Sequence, residues 1–162
     1  MPAPSSISAQ QLQHLFNQEL ELTQRLQHHL ELERDALTRQ DMERLTESAQ
    51  QKQHCVLQLQ AASQQREQWL QQQGVAASRE GVDGLLATLQ DDSLNATWKT
   101  LLTAIEACQQ ENRQLGMLIK RGQLATEQAQ HILQRGTTSS NHAYNARGNS
   151  EHSAKTRQLA KA

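Results

Sequence analysis

The sequence predicts an all-α fold with a disordered C-terminal tail. We expect an antiparallel bundle of three long helices, formed by a helical hairpin and a long third helix. Of the 162 residues, 27 are glutamine, a good helix former, and both prolines stand within the first four positions. The four aromatic residues (Phe16, Trp69, Trp98 and Tyr144) are too few for the wide core of a β-sandwich or a doubly wound sheet.

The first helix is predicted over residues 8–38. Ser8 and Gln11 have the spacing of a capping box, which closes two free backbone donors at a helix start. At 100° per residue, seven apolar side chains fall within an arc of about 120°, the width of a core-facing stripe. These side chains are Leu12, Leu15, Phe16, Leu22, Leu26, Leu30 and Leu37.

A second helix, antiparallel to the first, is predicted over residues 41–72. The segment 38–41 offers a turn in which Asp41 is the N-cap, although it contains neither glycine nor proline. A continuous kinked helix is therefore the alternative. The second apolar stripe consists of Met42, Leu45, Ala49, Val56, Leu59 and Leu70.

Four charged residues fall inside these two stripes. Glu19 and Glu33 lie on the first, and Lys52 and Arg66 lie on the second. We expect them at the rim of the hairpin, where opposite charges set the register and the side-chain stems are packed. A catalytic acid would need a pocket, which thin helices with few aromatic residues seldom form.

Three glycines, at positions 74, 81 and 84, mark the clearest break in the chain, with a short turn of helix over 82–89 as a possibility. Capping residues at 91–93 then begin the third helix, and Gly136 is a natural stop signal. Gln109, Asn112 and Gly116 share its apolar stripe, which suggests a face kept open for something other than dry packing. The stripe itself consists of Leu94, Trp98, Leu101, Leu102, Ile105 and Cys108.

The predicted organisation is a disordered N-terminus (1–7), a helical domain (8–136) and a flexible basic tail (137–162). Residues 1–111 carry 8 Lys/Arg against 15 Asp/Glu, whereas residues 112–162 carry 8 against 2. This asymmetry can indicate nucleic-acid binding, a tail that visits an acidic partner, or simply a solvated tail. Tyr144 is the one aromatic in that tail, and it is either an anchor for a partner pocket or incidental.

The sequence contains no motif of an enzyme or a metal site. It lacks a phosphate-binding glycine loop, G-x-S-x-G, H-E-x-x-H and C-x-x-C. The adjacent His28 and His29 point about 100° apart on a helix, so they cannot chelate together. No apolar run approaches a membrane span, and the start carries no basic, apolar signal. We therefore expect a cytoplasmic protein without cofactor, metal, small-molecule substrate or membrane insertion, with Cys55 and Cys108 as reduced, packed thiols.

Several segments, taken in order, resemble the FlgN family of flagellar export chaperones. They are LELERDAL around Glu33, then DMERLTESAQQKQ with Lys52 in the stripe, and Arg66 further on. A tryptophan-bearing helix, TWKTLLTAIEACQQENRQLGMLIK, and the tail YNARGNS…RQLAKA complete the resemblance, which covers most of the chain.

The resemblance implies a helical, cytosolic, non-enzymatic chaperone. Such proteins bind the hook–filament junction proteins, prevent their premature assembly and bring them to the flagellar type III export gate. Tyr144 would dock on the cytosolic domain of the export-gate membrane protein. A helical terminus of the cargo would be received by Asn112, Leu115, Leu118, Ile119 and Leu124.

The length of the third helix agrees with these implied roles. A helix of about 40 residues is about 60 Å long, whereas a hairpin whose two helices have about 30 residues each is shorter and cannot cover it fully. The end of the third helix past Glu111 should therefore expose aliphatic side chains to a partner. The same patch could close a homodimer. Two other classes remain: a structural coiled-coil protein without a specific client, which should show sustained heptads, and, as third choice, a nucleic-acid-binding helical protein.

Overall fold

The computed structural model describes the backbone of residues 6–159 and the side chains of residues 9–136. Over this range the chain forms four helices and no strand: α1 (Ser6–Thr38), α2 (Met42–Gln72), α3 (Arg79–Leu89) and α4 (Asp92–Leu159). The all-α prediction is confirmed, with four helices in place of three. The chain divides into two compact units, residues 1–117 and residues 118–162.

A turn separates α1 from α2, so the kinked continuous helix is excluded. Gln40 has a left-handed backbone conformation, and the Asp41 N–H donates to the carbonyl of Ala36 at 2.9 Å, which closes the end of α1. The Asp41 carboxylate then accepts from the Arg44 N–H at 3.1 Å. The predicted N-cap and hairpin are confirmed.

The buried face of α2 overlaps the predicted stripe only in part: Leu70 is buried as predicted, but the other buried positions were not in the stripe. The buried positions include Ser48, Cys55 and Ala62, which recur every seven residues and are small enough to let two helix backbones lie close together. Met42, predicted in the stripe, is 66% exposed. The prediction relied on large apolar side chains, so it placed the stripe beside the row of small residues that makes the contact with α1.

Helix α3 is complete where the sequence suggested only a short turn. Its N-cap Ser78 accepts from the Gly81 N–H at 3.1 Å, and Val82 and Leu86, one helical turn apart, are fully buried. Gly81 is required by a close approach, because a Cβ at this position would overlap the carbonyl oxygen of Ala76. Two of the three glycines that indicated a break, Gly81 and Gly84, therefore belong to a packed helix, whereas Gly74, with a φ of 71°, lies in the loop that follows α2.

The first unit contains two clusters of buried apolar side chains. The larger one joins all four helices and consists of Leu12, Phe16, Leu70, Val82, Leu86, Leu94, Trp98 and Leu101. The smaller one joins Leu30 of α1 to Cys108 and Leu115 of α4. The two clusters fix α4 against the hairpin at two separate levels.

Helix α4 begins as predicted, with the Asp91 carboxylate accepting from the Leu94 N–H at 3.0 Å. Its bounds extend past Gly136, where the sequence predicted a stop, since glycine ends a helix only where the backbone turns left-handed. The side chains after Gly136, and all of residues 160–162, lie outside the described residues, so the flexible tail stays a prediction. Among the helices described, none has an apolar stretch long enough to cross a membrane.

Candidate functional site

Two buried ion pairs join α1 to α2. Arg66 donates to Glu19 at 2.8 Å, and the Lys52 ammonium lies 2.8 Å from the Glu33 carboxylate. The residue numbers of both pairs sum to the same value, 85, so both belong to one antiparallel register. The predicted pairing of opposite charges is confirmed, but Glu19 and Arg66 are buried inside the hairpin and do not lie at its rim.

Glu19 is nearly inaccessible, with 1% of its side chain exposed. Burial raises the pKa of its carboxyl above the ordinary value, and the charge and hydrogen bond of Arg66 oppose that shift. In the part of the chain with described side chains, no open pocket that we find gives a substrate access to this carboxyl. Its role is therefore to hold the hairpin together.

Trp98 connects this pair to the other helices. Its ring stacks on Phe16 at a centroid distance of 5.0 Å, and the Arg66 guanidinium lies 5.7 Å from the Trp98 ring centroid. The indole N–H donates to Asp83 of α3 at 2.9 Å. Phe16 and Trp98, together with Trp69, which packs against the same cluster, thus belong to the body of the bundle, as predicted.

The predicted site residue Asn112 lies at the mouth of a groove between α1, α2 and α4. The cavity has a volume of about 270 Å³ and lies within the first unit. Asn112 and Gln109 are exposed, whereas the aliphatic side chains at the floor are buried or half-buried. The full lining is Thr23, Leu26, Leu30, Lys52, Val56, Leu59, Ile105, Cys108, Gln109 and Asn112.

Both cysteines are buried, free thiols that donate to carbonyl groups of α1. The Cys55 thiol bonds to Leu22 and the Cys108 thiol to Thr23, each at 3.3 Å. Burial raises the pKa of both thiols, and that of Cys108 reaches about 11. These groups act as packing residues and are poor nucleophiles.

Leu115, predicted as a cargo-binding residue, lies in the core of the first unit. Only 2% of it is exposed, and it shares the smaller cluster with Leu30 and Cys108. One turn earlier, Arg34 donates to both oxygens of Glu111, at 2.7 and 2.9 Å, and so ties α4 to α1. Leu115 therefore anchors α4 and offers no surface to a partner in this state.

The other predicted cargo-binding residues lie in the second unit and are exposed. The exposed fractions are 36% for Leu118, 37% for Ile119 and 50% for Leu124, and every described side chain from residue 118 to residue 136 is exposed. This is the longest run of exposed positions in the part of the chain with described side chains.

Within that run, five apolar residues share one face of the helix. Their spacings of four and three residues alternate, which is the heptad pattern of a helix that packs on another helix. Three of them are small, so the pattern escapes a search for large side chains. We call this face the 118–132 stripe, formed by Leu118, Gly122, Ala125, Ala129 and Ile132. Leu124 lies about 120° away from Leu118 and is not part of it.

Tyr144, predicted to dock on the export gate, falls outside the residues whose side chains are described. Within the described part, no group of three or more His, Cys, Asp or Glu residues is arranged to hold a metal ion.

Comparison with known proteins gives one family. The model of the FlgN family, described as FlgN protein, matches residues 1–152. Among curated proteins and among solved structures, none matches the chain.

Proposed function

The chain belongs to the FlgN family of flagellar export chaperones, which is not a family of enzymes, and from this premise we propose a specific role for it. It binds hook–filament junction proteins in the cytoplasm, prevents their premature assembly and delivers them to the flagellar type III export gate.

The observation that supports this proposal most is the exposed aliphatic surface of α4 in the second unit. Leu118, Ile119 and Ile132 expose between 36% and 70% of their surfaces in a helix that carries no buried side chain from residue 118 to residue 136. Exposed apolar side chains along one helix are the anchors by which an amphipathic partner helix docks. A helical terminus of the cargo is a partner of this kind.

The proposed mechanism is a two-site adaptor. Cargo occupies α4 within the second unit, and Tyr144, in the basic tail, docks on the cytosolic domain of the gate. Asn112 and its groove in the first unit remain a second candidate contact for the cargo. The adaptor itself needs neither nucleotide nor metal.

Cargo binding is tested by the double substitution Leu118→Ala/Ile119→Ala. Truncating two anchors that become buried removes about 2 kcal/mol, so the dissociation constant for a purified junction protein should rise about thirtyfold in calorimetry. The matched control is Leu57→Ala, because Leu57 is 55% exposed but lies on α2. Equal losses in the two variants would contradict the assignment of the site.

Gate docking is tested separately at Tyr144. Tyr144→Ala should leave the cargo complex intact and weaken binding to the gate domain, whereas Tyr144→Phe keeps the ring and should retain most of the affinity. A chain truncated after Gly136 should lose gate binding. Wild-type gate affinity in the truncated chain would refute the role of the tail.

The alternatives give different results in the same assays. A homodimer closed by the exposed aliphatic residues would sediment as a dimer, and cargo would dissociate it if both use one surface. A structural coiled-coil protein without a client would bind no junction protein. A nucleic-acid binder would retain DNA or RNA with an affinity that falls steeply with salt.

A further inference from the structure

Two arginines follow one flank of the 118–132 stripe. At 100° per residue, Arg121 lies about 60° and Arg135 about 100° from the direction of Leu118, on the same side. Both side chains are exposed. They are 14 residues apart, two heptads or about 21 Å along the axis.

The opposite flank of the stripe is uncharged and partly apolar. Ile119 lies there, about 100° from Leu118, and Thr126 lies one heptad further on. The two remaining charged residues between 118 and 135 are Lys120 and Glu127, which lie on the back of the helix, about 160° and 180° from Leu118. The face around the stripe is therefore positive on one side only.

A second copy of this chain does not complement such a face. In an antiparallel pair, the arginine flank of one copy would meet the arginine flank of the other, and like charges destabilise the contact. In a parallel pair, the arginine flank would meet Thr126 and its neighbours. In neither arrangement does Glu127 reach the interface, so no carboxylate pairs with Arg121 or Arg135.

From this pattern we propose that the 118–132 stripe receives an amphipathic protein helix that carries two carboxylates, two heptads apart, along one flank of its aliphatic face. The aliphatic face packs on Leu118 and Ile132 and fits closely over the small residues between them. The carboxylates pair with Arg121 and Arg135, which fixes the orientation and register of the bound helix. The inference rests on the proposed function, because it gives the chemistry of the cargo helix.

The charge requirement is tested by reversing both arginines. Arg121→Glu/Arg135→Glu should raise the dissociation constant for a purified hook–filament junction protein about thirtyfold, which corresponds to a total change of about 1 kcal/mol at each site where an attraction becomes a repulsion. Because salt screens attraction and repulsion alike, the contribution of these two sites should weaken binding as salt rises in the wild type and strengthen it in the double variant. The matched control is Lys120→Glu, an exposed charge reversal on the back of the same helix, which should change the affinity less than threefold. Equal effects of the double variant and the control would overturn the inference.

Two stapled helical peptides with one leucine stripe separate this inference from the function it rests on. One carries two glutamates 14 residues apart on a single flank, and the other carries two lysines. The wild-type chain should bind the glutamate peptide at least tenfold more tightly, and Arg121→Glu/Arg135→Glu should invert that preference. If no junction protein binds but the peptide preference holds, the proposed function fails and the chemistry of the surface stands. If a junction protein binds and the peptides bind equally, the inference fails alone.

Other occupants of the stripe would be detected by two further measurements. A dimer of the isolated chain in sedimentation that Leu118→Ala dissociates would assign the stripe to a second copy and overturn the inference. Tighter binding of a 20-base-pair DNA duplex than of the glutamate peptide would assign the arginines to phosphates, with the same consequence. A monomer that prefers the glutamate peptide supports the inference.

Discussion

Arg66 and Glu19 form an ion pair inside the α1–α2 hairpin, at 2.8 Å, with 12% and 1% of their side chains exposed. A second pair, Glu33 with Lys52, lies 14 residues along each helix in the same register. In contrast, Glu21 and Arg25 pair at 2.6 Å on the surface of α1, where both side chains are more than half exposed. Burial therefore distinguishes these pairs more than distance does.

We predict that Arg66→Met lowers the free energy of unfolding by about 3 kcal/mol, because it leaves Glu19 buried without a counter-charge. Arg25→Met is the control and should cost at most about 0.5 kcal/mol, since an exposed pair contributes little. The double variant Glu19→Leu/Arg66→Met should recover much of the loss. Urea unfolding followed by circular dichroism measures all three, and similar costs for the two single variants would refute the argument.

The raised pKa of Glu19 gives a pH dependence of definite sign. Because burial makes the folded state hold this proton more tightly, the contribution of Glu19 to stability is fully present below its unfolded pKa of 4.5 and is lost as pH rises through the folded value. The stability of the wild type relative to Glu19→Gln should therefore increase on acidification from neutral pH. Urea titrations at several pH values test this. A decrease would mean that Arg66 lowers the pKa more than burial raises it.

The two glycines of α3 should respond oppositely to alanine. At Gly81 a Cβ overlaps the backbone of Ala76, so Gly81→Ala should destabilise the fold by about 1–3 kcal/mol. At Gly84 nothing lies within 4 Å of the new Cβ, and Gly84→Ala should stabilise the helix by about 0.5–1 kcal/mol. Thermal unfolding of both variants provides the comparison. Equal shifts of the melting temperature would show that Ala76 moves aside without cost.

The thiol of Cys108 should be protected in the folded chain. Since its pKa rises from 9.0 to about 11, the thiolate fraction near pH 8 falls about a hundredfold, and burial further restricts access. Iodoacetamide at pH 8 should label neither cysteine in the native protein and both in urea, as counted by mass spectrometry. Rapid labelling of Cys108 without urea would show that α4 opens locally over Thr23.

The sequence predicted those parts of the fold that depend on local patterns. The extents of α1 and α2, the N-cap at Asp41 and the pairing of opposite charges across the hairpin follow from spacing and side-chain chemistry, and the structure confirms them, whereas α4 continues past the stop predicted at Gly136. Helix α3 was underestimated because Gly81 carries the pattern of a break, and only the position of Ala76 shows why glycine is required. The close approach of Gly81 to Ala76 depends on the folded path of the chain, so a local sequence pattern does not predict it.

The candidate site was predicted in part for the same reason. Leu118 and Ile119 are exposed, whereas Leu115, three residues before Leu118 on an equally apolar stretch, is buried. The difference arises because the smaller cluster around Leu30 includes Leu115 and ends there. The sequence of α4 alone does not show where that cluster ends. The sequence analysis did not identify the small residues of the 118–132 stripe, because glycine and alanine contribute little to a hydrophobic pattern.

Leu115 is the last residue of α4 whose described side chain is buried in the bundle. Up to that residue, buried side chains such as Leu94 and Leu101 lock the helix, so its amide protons should exchange with solvent only when the bundle itself opens. From residue 118 to residue 136 no side chain is buried, and the amides there should exchange faster by orders of magnitude. One unbroken helix thus contains a slow and a fast segment. A bound client would slow the fast one, and deuterium uptake would map its footprint residue by residue.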